Sequence, residues 1–316
     1  MAVPSAKLNR HARQRGVALI TALLVVALAT VTAVAMAARQ QLDVRRTANL
    51  LDGDQAYAYA LGVERWAGVI LRRDAEENTS DTLGDAWAQR LSPIPVPGGQ
   101  LDGFVVDLQG RFNLNNLLTA DGQPSAPDMA YFQRLLRVLG LNEGLATAVL
   151  DWIDSDFDTR FPDGAEDDYY LLLERPYRAA NWPLQSPSEL RLIRGVESAV
   201  WDVLAPHVSA LPGRTTLNIN TASAPLLQAL TEELTAQDAE RLVEARGTVG
   251  YDGVDGFLQH ELFAGREVAT DGLGVASQYF LIRAEVTLGT ARARLFSVAA
   301  RQPTGLRILA RTQGTW

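Results

Sequence analysis

Val17 to Ala38, twenty-two consecutive residues without a charge, set the pattern at one end of the chain. As a helix rising ~1.5 Å per residue this run reaches about 33 Å, enough to cross the apolar core of a bilayer. Lys7, Arg10, Arg13 and Arg15 precede it with no acid among them, and Arg39, Arg45 and Arg46 follow it. A basic leader ahead of an apolar segment also describes a secretory signal peptide, and small residues suited to cleavage (Ala35, Ala37, Ala38) are present. Two features favour a retained helix. Gly16 stands in front of the apolar run, directly after Arg15, and helical patterning continues beyond the run. There is no proline from Ala6 to Ser92, and Leu50, Leu51, Tyr57, Ala58, Leu61, Trp66, Val69 and Ile70 keep roughly helical spacing. Val17 to Leu71 would then form a helix about 80 Å long.

Beyond it the pattern changes twice. Asp74–Asp81 reads as a polar loop, and Leu83 to Leu91 predicts a short helix with Leu83, Trp87 and Leu91 on one side. Pro93, Pro95, Pro97 and Gly98-Gly99 are expected to break regular structure. Leu101 to Leu108 predicts a strand centred on Phe104, Val105 and Val106. From Asn113 to about His207 the spacing is helical. Pro127–Leu139 has Gly140 in the position that ends a helix, Glu143–Ile153 has Asn142 before it, and Ser186-Pro-Ser-Glu189 forms a capping box. Glu197–Ala205, Ala222–Leu230, Ala236–Arg246 and Val254–Phe263 complete the helices, with Leu217–Thr221 extended between them. Alternation returns at the end: Tyr279–Leu288, Arg292–Ala300 and Leu306–Ala310, the first two joined by a Gly289-Thr290 hairpin turn.

Strand first, helices in the middle and strands last predict an α+β chain in which a helical block interrupts one antiparallel sheet. The expected division is 1–16 as a leader, 17–73 as the long helix (membrane part 17–38), and 74–112 with 265–316 as an α/β unit. Residues 113–264 would form the inserted all-α domain.

Composition narrows the chemistry. There is no cysteine, so neither disulfides nor thiolate chemistry is available. Lys7 is the only lysine, and removing a leader through Gly16, with its four basic residues, takes the formal charge from −8 to −12. Such a balance opposes general binding to nucleic acid.

The densest group of ionisable residues is Asp151 to Asp168, with eight carboxylates against Arg160 alone. Solvent or a hard cation held by oxygens must relieve that repulsion. An EF-hand register starting at Asp154 fails, because Thr159 stands where glycine is needed and Ala165 where the bidentate glutamate is needed. Two readings stand on the residues: a solvated acidic loop, or a different calcium loop. In the latter Asp154 and Asp156 lie at one end and Glu166 and Asp167 at the other, with Gly164 making the sharp return.

Leu217-Asn-Ile-Asn-Thr-Ala-Ser223 followed by Ala239–Arg246 and a glycine-containing turn resembles the helix-hairpin-helix units of competence-type DNA-binding proteins. Residues 217–262 carry Arg241 and Arg246 against eight acids, the wrong sign for a phosphate site, so a packing module is the stronger reading. Enzyme signals are sparse. His260-Glu261 opens a zincin-like motif, but position 264 is alanine; neither a Gly-x-Ser-x-Gly elbow nor a Gly-x-Gly-x-x-Gly loop is present. No enzyme is expected; a membrane-anchored hydrolase would need a carboxylate pair that spacing does not reveal.

The basic leader, Arg15-Gly16, the Val-Ala-Leu-Ile-Thr-Ala-Leu-Leu start and the long helix resemble type IV prepilins and pseudopilins. That resemblance implies cleavage between Gly16 and Val17 by a prepilin peptidase and N-methylation of Val17. Most pilins carry glutamate at the fifth mature position, where this chain has Thr21. That departure, together with Asp151-Trp-Ile-Asp154 and Gly164-Ala-Glu-Asp-x-x-Tyr170, resembles the minor pseudopilin K family of type II secretion systems. The resemblance covers nearly the whole chain. It implies a pilin-like fold with an inserted α-domain that carries calcium, for which Asp154, Asp156, Glu166 and Asp167 are the candidate ligands. It further implies a tip subunit of the pseudopilus that initiates assembly and supports export of folded proteins. Its partners would be the minor pseudopilins I and J, the prepilin peptidase and the inner membrane, with secreted cargo or the outer-membrane secretin as further candidates. The globular part would lie in the periplasm, with no nucleic acid bound. The alternative is a DNA-binding minor pilin of an uptake system.

Overall fold

The computed structural model describes residues 11–90 and 92–314, so the first ten residues of the expected leader, and Leu91, lie outside the described residues. The chain opens with α1, His11–Glu77, in which Gly16, Val17 and Thr21 all lie. A turn-rich segment leads to β1 (Ile94–Val96) and β2 (Gly99–Asp107). Next come β3 (Phe112–Asn113), α2 (Ala126–Val138), α3 (Leu145–Ile153) and α4 (Asp167–Tyr170). A 3-10 turn at Pro187–Leu192 precedes α5 (Ser198–Leu204), β4 (Val208–Ser209) and β5 (Leu217–Asn218). Then follow α6 (Ala224–Gln228), α7 (Ala236–Arg246), α8 (Val254–Leu258) and β6 (Leu273–Gly274). The chain closes with β7 (Tyr279–Leu288), β8 (Ala291–Gln302) and β9 (Gly305–Gln313).

One antiparallel sheet has the order β1-β2-β7-β8-β9. β2 and β7 pair residue for residue from Gly99↔Leu288 to Asp107↔Phe280, although about 170 residues of sequence separate their inner ends. The helical block therefore leaves and re-enters the sheet at one place. Two short parallel pairs, β3 with β4 and β5 with β6, lie within it. Leu273, in β6, belongs to the same apolar core as Phe132, Val149, Tyr170, Ile219 and Leu242.

The first half of α1 is exposed along its length from Val17 to Leu51, with Asn49 near its end accepting from the Thr290 hydroxyl at 3.5 Å. Its second half lies on the sheet through Ala56, Ala60, Val63, Ala67 and Leu71, spaced three or four apart. That stripe differs from the expected one, since Leu50, Leu51, Trp66 and Val69 face outward. The reason is distance. Small side chains let α1 approach β2 so closely that a Cβ on Gly103 would meet Val63 at 2.7 Å.

Two further expectations are corrected. Where a helix over Leu83–Leu91 was expected, residues 83–89 form a series of turns, because Thr82 and Asp85 close the chain on itself: the Thr82 amide donates to Asp85 Oδ2 at 2.6 Å and the hydroxyl to Oδ1 at 3.0 Å. Trp87 is still buried, edge-on to Phe280 with centroids 5.2 Å apart. The proline-rich stretch does form a strand, β1, on the sheet edge where Pro95 lacks no needed donor. Pro97-Gly98 then turns the chain into β2, Gly98 adopting φ of 86°.

Candidate functional site

The acidic loop follows directly from α3. This helix is buried almost all round, and its last turn carries Asp151, fully buried, with Asp154 just beyond as the C-cap. The chain then circles back around Arg160. Its amide donates to Asp151 Oδ2 at 3.0 Å and its Nη1 to Asp151 Oδ1 at 2.8 Å; Nη1 also contacts Asp154 Oδ2, and Nη2 lies 3.4 Å from Asp156 Oδ2. Gly164 makes the return, its amide donating to Arg160 O at 2.8 Å. A Cβ there would meet Asp151 Oδ2 at 2.1 Å, so only glycine allows the chain to lie so close.

The return delivers Glu166, 1 % exposed, to the far side of the cluster. One oxygen from each of Asp154, Asp156 and Glu166 falls within 4.8 Å of the others. Asp154 Oδ1 and both oxygens of Glu166 are buried without any hydrogen-bond partner. Buried carboxylate oxygens are ordinarily paired, and leaving them unpaired is costly. Burial, then the charges of Asp151, Asp154, Asp156 and Asp167, push Glu166 up to about 8. Burial lifts Asp154 to about 6 against the opposing pull of Arg160, with Asp156 and Asp151 adding to the rise. One guanidinium is too little for four carboxylates, and the uncompensated oxygens face one another.

Of the four expected ligands, Asp154, Asp156 and Glu166 come together and Asp167 does not. Asp167 starts α4; its Oδ1 accepts from the Ala179 amide at 3.1 Å and its Oδ2 lies 3.3 Å from Arg178. Asp163 is also elsewhere, packed over Gly144 before α3. Sequence reasoning missed Asn181. It adopts φ of 45°, donates from Nδ2 to Asp156 O at 2.7 Å, and keeps its own Oδ1 buried and unpartnered. Asparagine at a positive φ is the one signal that a sequence could carry, and it is weak. All the free donors are oxygens, the set a hard cation such as calcium takes, so the residues fit that ion.

Asp74, Asp81 and Asp85 also gather oxygens within 4.8 Å of one another. Here the chain supplies the cation: Arg301 reaches Asp74 at 3.2 Å and Asp81 at 2.5 Å.

The Leu217–Thr221 motif sits at the base of the insert. Asn218 is fully buried, and its Nδ2 faces Asp107 Oδ2 at 2.9 Å, Ser277 Oγ at 3.0 Å and Asp81 O at 3.1 Å. Ser277 Oγ and Thr221 Oγ1 both donate to Asp107 Oδ2, at 2.7 and 2.6 Å. The end of β2, the middle of the insert and the start of β7 are joined through one carboxylate. Arg246 is buried and gives Nη1 to Ile219 O and Ala222 O, both at 2.7 Å, while Arg241 lies 3.8 Å from Asp238. Arg246 is spent inside the hairpin-like unit and leaves Arg241 as its one exposed basic residue, so the DNA-binding alternative is not supported.

Thr21 bonds within α1, its hydroxyl donating to Val17 O and Ala18 O at 3.0 Å each. The helix from Gly16 is long and apolar enough to cross a membrane and is unburied over its most apolar window.

Two family models describing type II secretion system protein K match the chain, over residues 110–213 and 217–276. Type II secretion system protein K of Pseudomonas aeruginosa is 42 % identical over 95 % of this chain and 93 % of its own length. The protein of that name from Klebsiella pneumoniae is 36 % identical over 96 % and 98 %. Among solved structures, a chain in the GspK-GspI-GspJ complex from enterotoxigenic Escherichia coli superposes with a TM-score of 0.76 at 29 % identity. That match covers 86 % of this chain and all of the other. These relatives are named as secretion-system components, not as enzymes. With this agreement in sequence and fold, the chain belongs to the type II secretion system protein K family of minor pseudopilins.

Proposed function

We propose that this protein is the subunit at the tip of a type II secretion pseudopilus, where it starts assembly with minor pseudopilins of the I and J types and supports export of folded periplasmic proteins. The observation that carries the reading is the likeness, over all of the other chain, to a structure solved as a GspK-GspI-GspJ complex. The free half of α1 would hold the subunit in the inner membrane before assembly, with the sheet and insert in the periplasm. Prepilin peptidase would cut between Gly16 and Val17, and Val17 would be methylated. The outward face of α1, with Trp66 and Val69 exposed, offers an apolar flank to a neighbouring helix. Thr21 is satisfied within its own helix and so asks nothing of a subunit docked above it. The bulky insert, which returns to the sheet beside its point of departure, would obstruct further stacking; secreted cargo or the secretin would meet that exposed end.

Within the insert we assign a calcium site to Asp154, Asp156 and Glu166, with Asn181 Oδ1 as a fourth oxygen donor. Bound calcium supplies positive charge to an under-compensated cluster and ties the 154–166 loop to the 181 turn. Asp151 and Arg160 set the loop's path, and Gly164 allows its return.

Co-elution tests both parts. The full chain in neutral-detergent micelles is mixed with I- and J-type pseudopilins and run with calcium and with chelator. A complex of all three that weakens under chelator is expected. A complex indifferent to chelator removes the calcium site, and the absence of a complex in either buffer removes the tip assignment.

A further inference from the structure

A cavity of about 360 Å³ is lined by α2, Arg214–Thr216 and residues 268–273. Its floor is apolar, with Phe112, Leu230 and Leu273. Three arginines line it, and their states differ. Arg214 is committed: Nη1 donates to Asn116 O and Leu118 O, and Nη2 lies 2.7 Å from Asp128 Oδ2. Arg134 gives Nε to Ala229 O at 2.8 Å and Nη2 to Leu230 O at 3.4 Å, neutral partners only. Arg111 is half-buried and, among the described residues, makes no hydrogen bond and no salt bridge. The carboxylate whose charge offsets its burial is Asp107, whose oxygens are taken by Gln109, Thr221, Ser277 and Asn218.

A half-buried guanidinium without a hydrogen-bond partner is rare, because a distant charge replaces little of the hydration that its N–H groups lose. Its fork of donors matches a carboxylate in two-point contact. The cavity lies near the small end of the roughly 300–1,000 Å³ typical of ligand pockets, and it combines an apolar lining with a few polar groups. Its lining suits a monoanion: it holds three arginines against Asp128 and Asp271, and Asp107, which acts on Arg111 from outside the lining, already has its oxygens taken. We propose that the cavity binds a carboxylate carried on a small apolar group, the carboxylate on Arg111 and the apolar part on the floor of Phe112 and Leu230. A free small acid and the C-terminal carboxylate of a peptide share this chemistry. The assignment is independent of the calcium site.

Ligand-observed NMR on the full chain in neutral-detergent micelles tests it, with phenylacetate as probe and phenylacetamide as its uncharged counterpart. Saturable binding of phenylacetate is expected, with the amide roughly tenfold weaker and Arg111→Met weakened about as much, the scale of a lost charge-assisted bond. Arg111→Lys, which keeps the charge, should recover part of the loss. Equal binding of acid and amide overturns the proposal, as does unchanged binding to a folded Arg111→Met chain. Competition by inorganic phosphate as strong as that of phenylacetate also overturns it, because the apolar part would then count for nothing. The acid-against-amide comparison needs no variant, so it decides the matter even if Arg111→Met does not fold. A tripeptide ending in phenylalanine, free or amidated at its terminus, is then compared with phenylacetate. Discrimination between the two tripeptides together with tighter binding of the free one than of phenylacetate supports the proposal with a peptide source. The reverse order supports it with a small acid.

Discussion

Arg311 grips Glu64 with two parallel hydrogen bonds of 2.8 Å, Nε to Oε2 and Nη2 to Oε1. Ser297 adds a third, its hydroxyl donating to Oε2 at 2.5 Å. Glu64 is buried on the face of α1 that meets the sheet, so this one carboxylate joins the long helix to β8 and to the edge strand β9.

Burial opposes ionisation of Glu64, but the bonds from Arg311 and Ser297 outweigh it and hold the carboxyl below the ordinary glutamate range. A depressed folded-state value means that the stabilisation is fully present above about pH 4.3, the unfolded value, and is lost as pH falls through the folded one. Removing one member of a buried pair costs about 3–5 kcal/mol; with Arg311 nearly half exposed, about 2 kcal/mol is the expected loss for Glu64→Ala at pH 7. Denaturant melts of wild type and Glu64→Gln should differ most at neutral pH and converge toward pH 3. A difference that stays constant over that range would refute the linkage.

Asn218 should matter more than any other residue of its motif. Asn218→Ala removes a donor that faces Asp107 and leaves that buried carboxylate one hydrogen bond short, at a cost of about 2–3 kcal/mol. Burial already raises Asp107, which makes the loss of a donor harder to absorb. Limited proteolysis should then cut near the two ends of the insert, around 108 and 277, before the sheet unfolds. Cleavage confined to other loops would show that the network does not hold the base.

If the acidic loop binds calcium as proposed, binding to the folded state alone stabilises by mass action, about 2.7 kcal/mol at a hundredfold excess over Kd. Calcium should raise the thermal midpoint of the wild type and fail to raise that of Glu166→Gln or Asp154→Asn. Asp167→Asn should respond as the wild type does, because its carboxylate is turned to Ala179 and Arg178. An Asp167→Asn chain that loses the calcium response would restore Asp167 to the ligand set.

Much of this was legible in the linear pattern, for physical reasons that vary by element. Tyr279–Leu288 and the Gly289-Thr290 turn were plain, since alternation and a positive-φ glycine are local properties. So was α7, which has its capping box at Thr235 and Asp238. The packed face of α1 was not. Ala56, Ala60 and Ala67 carry little hydrophobic weight, and they were buried because they are small while Leu50 and Leu51 were left outside. In the acidic loop, proximity in sequence pointed to Asp154, Asp156 and Glu166, which the fold brings together, and also to Asp167, which the turn into α4 carries away. Asn181 comes from fifteen residues past Glu166 through tertiary folding, joined by its bonds to Trp152 O and Asp156 O. No local pattern announces such a donor.

Thr21 provides the last prediction. Its hydroxyl is satisfied by Val17 O and Ala18 O, so this position adds no unmet polar group to the apolar segment. Thr21→Val should leave membrane insertion and secretion unchanged. Thr21→Glu places a carboxylate within the proposed membrane span, where a charge costs about 2.5–3.5 kcal/mol on insertion scales unless it is paired. A subunit with nothing docked above it has no amine to offer that carboxylate, so the variant should lower the amount of assembled tip complex and the export of a reporter substrate together. Normal assembly and export with Thr21→Glu would mean that a partner does reach this position, and the place at the tip would have to be given up.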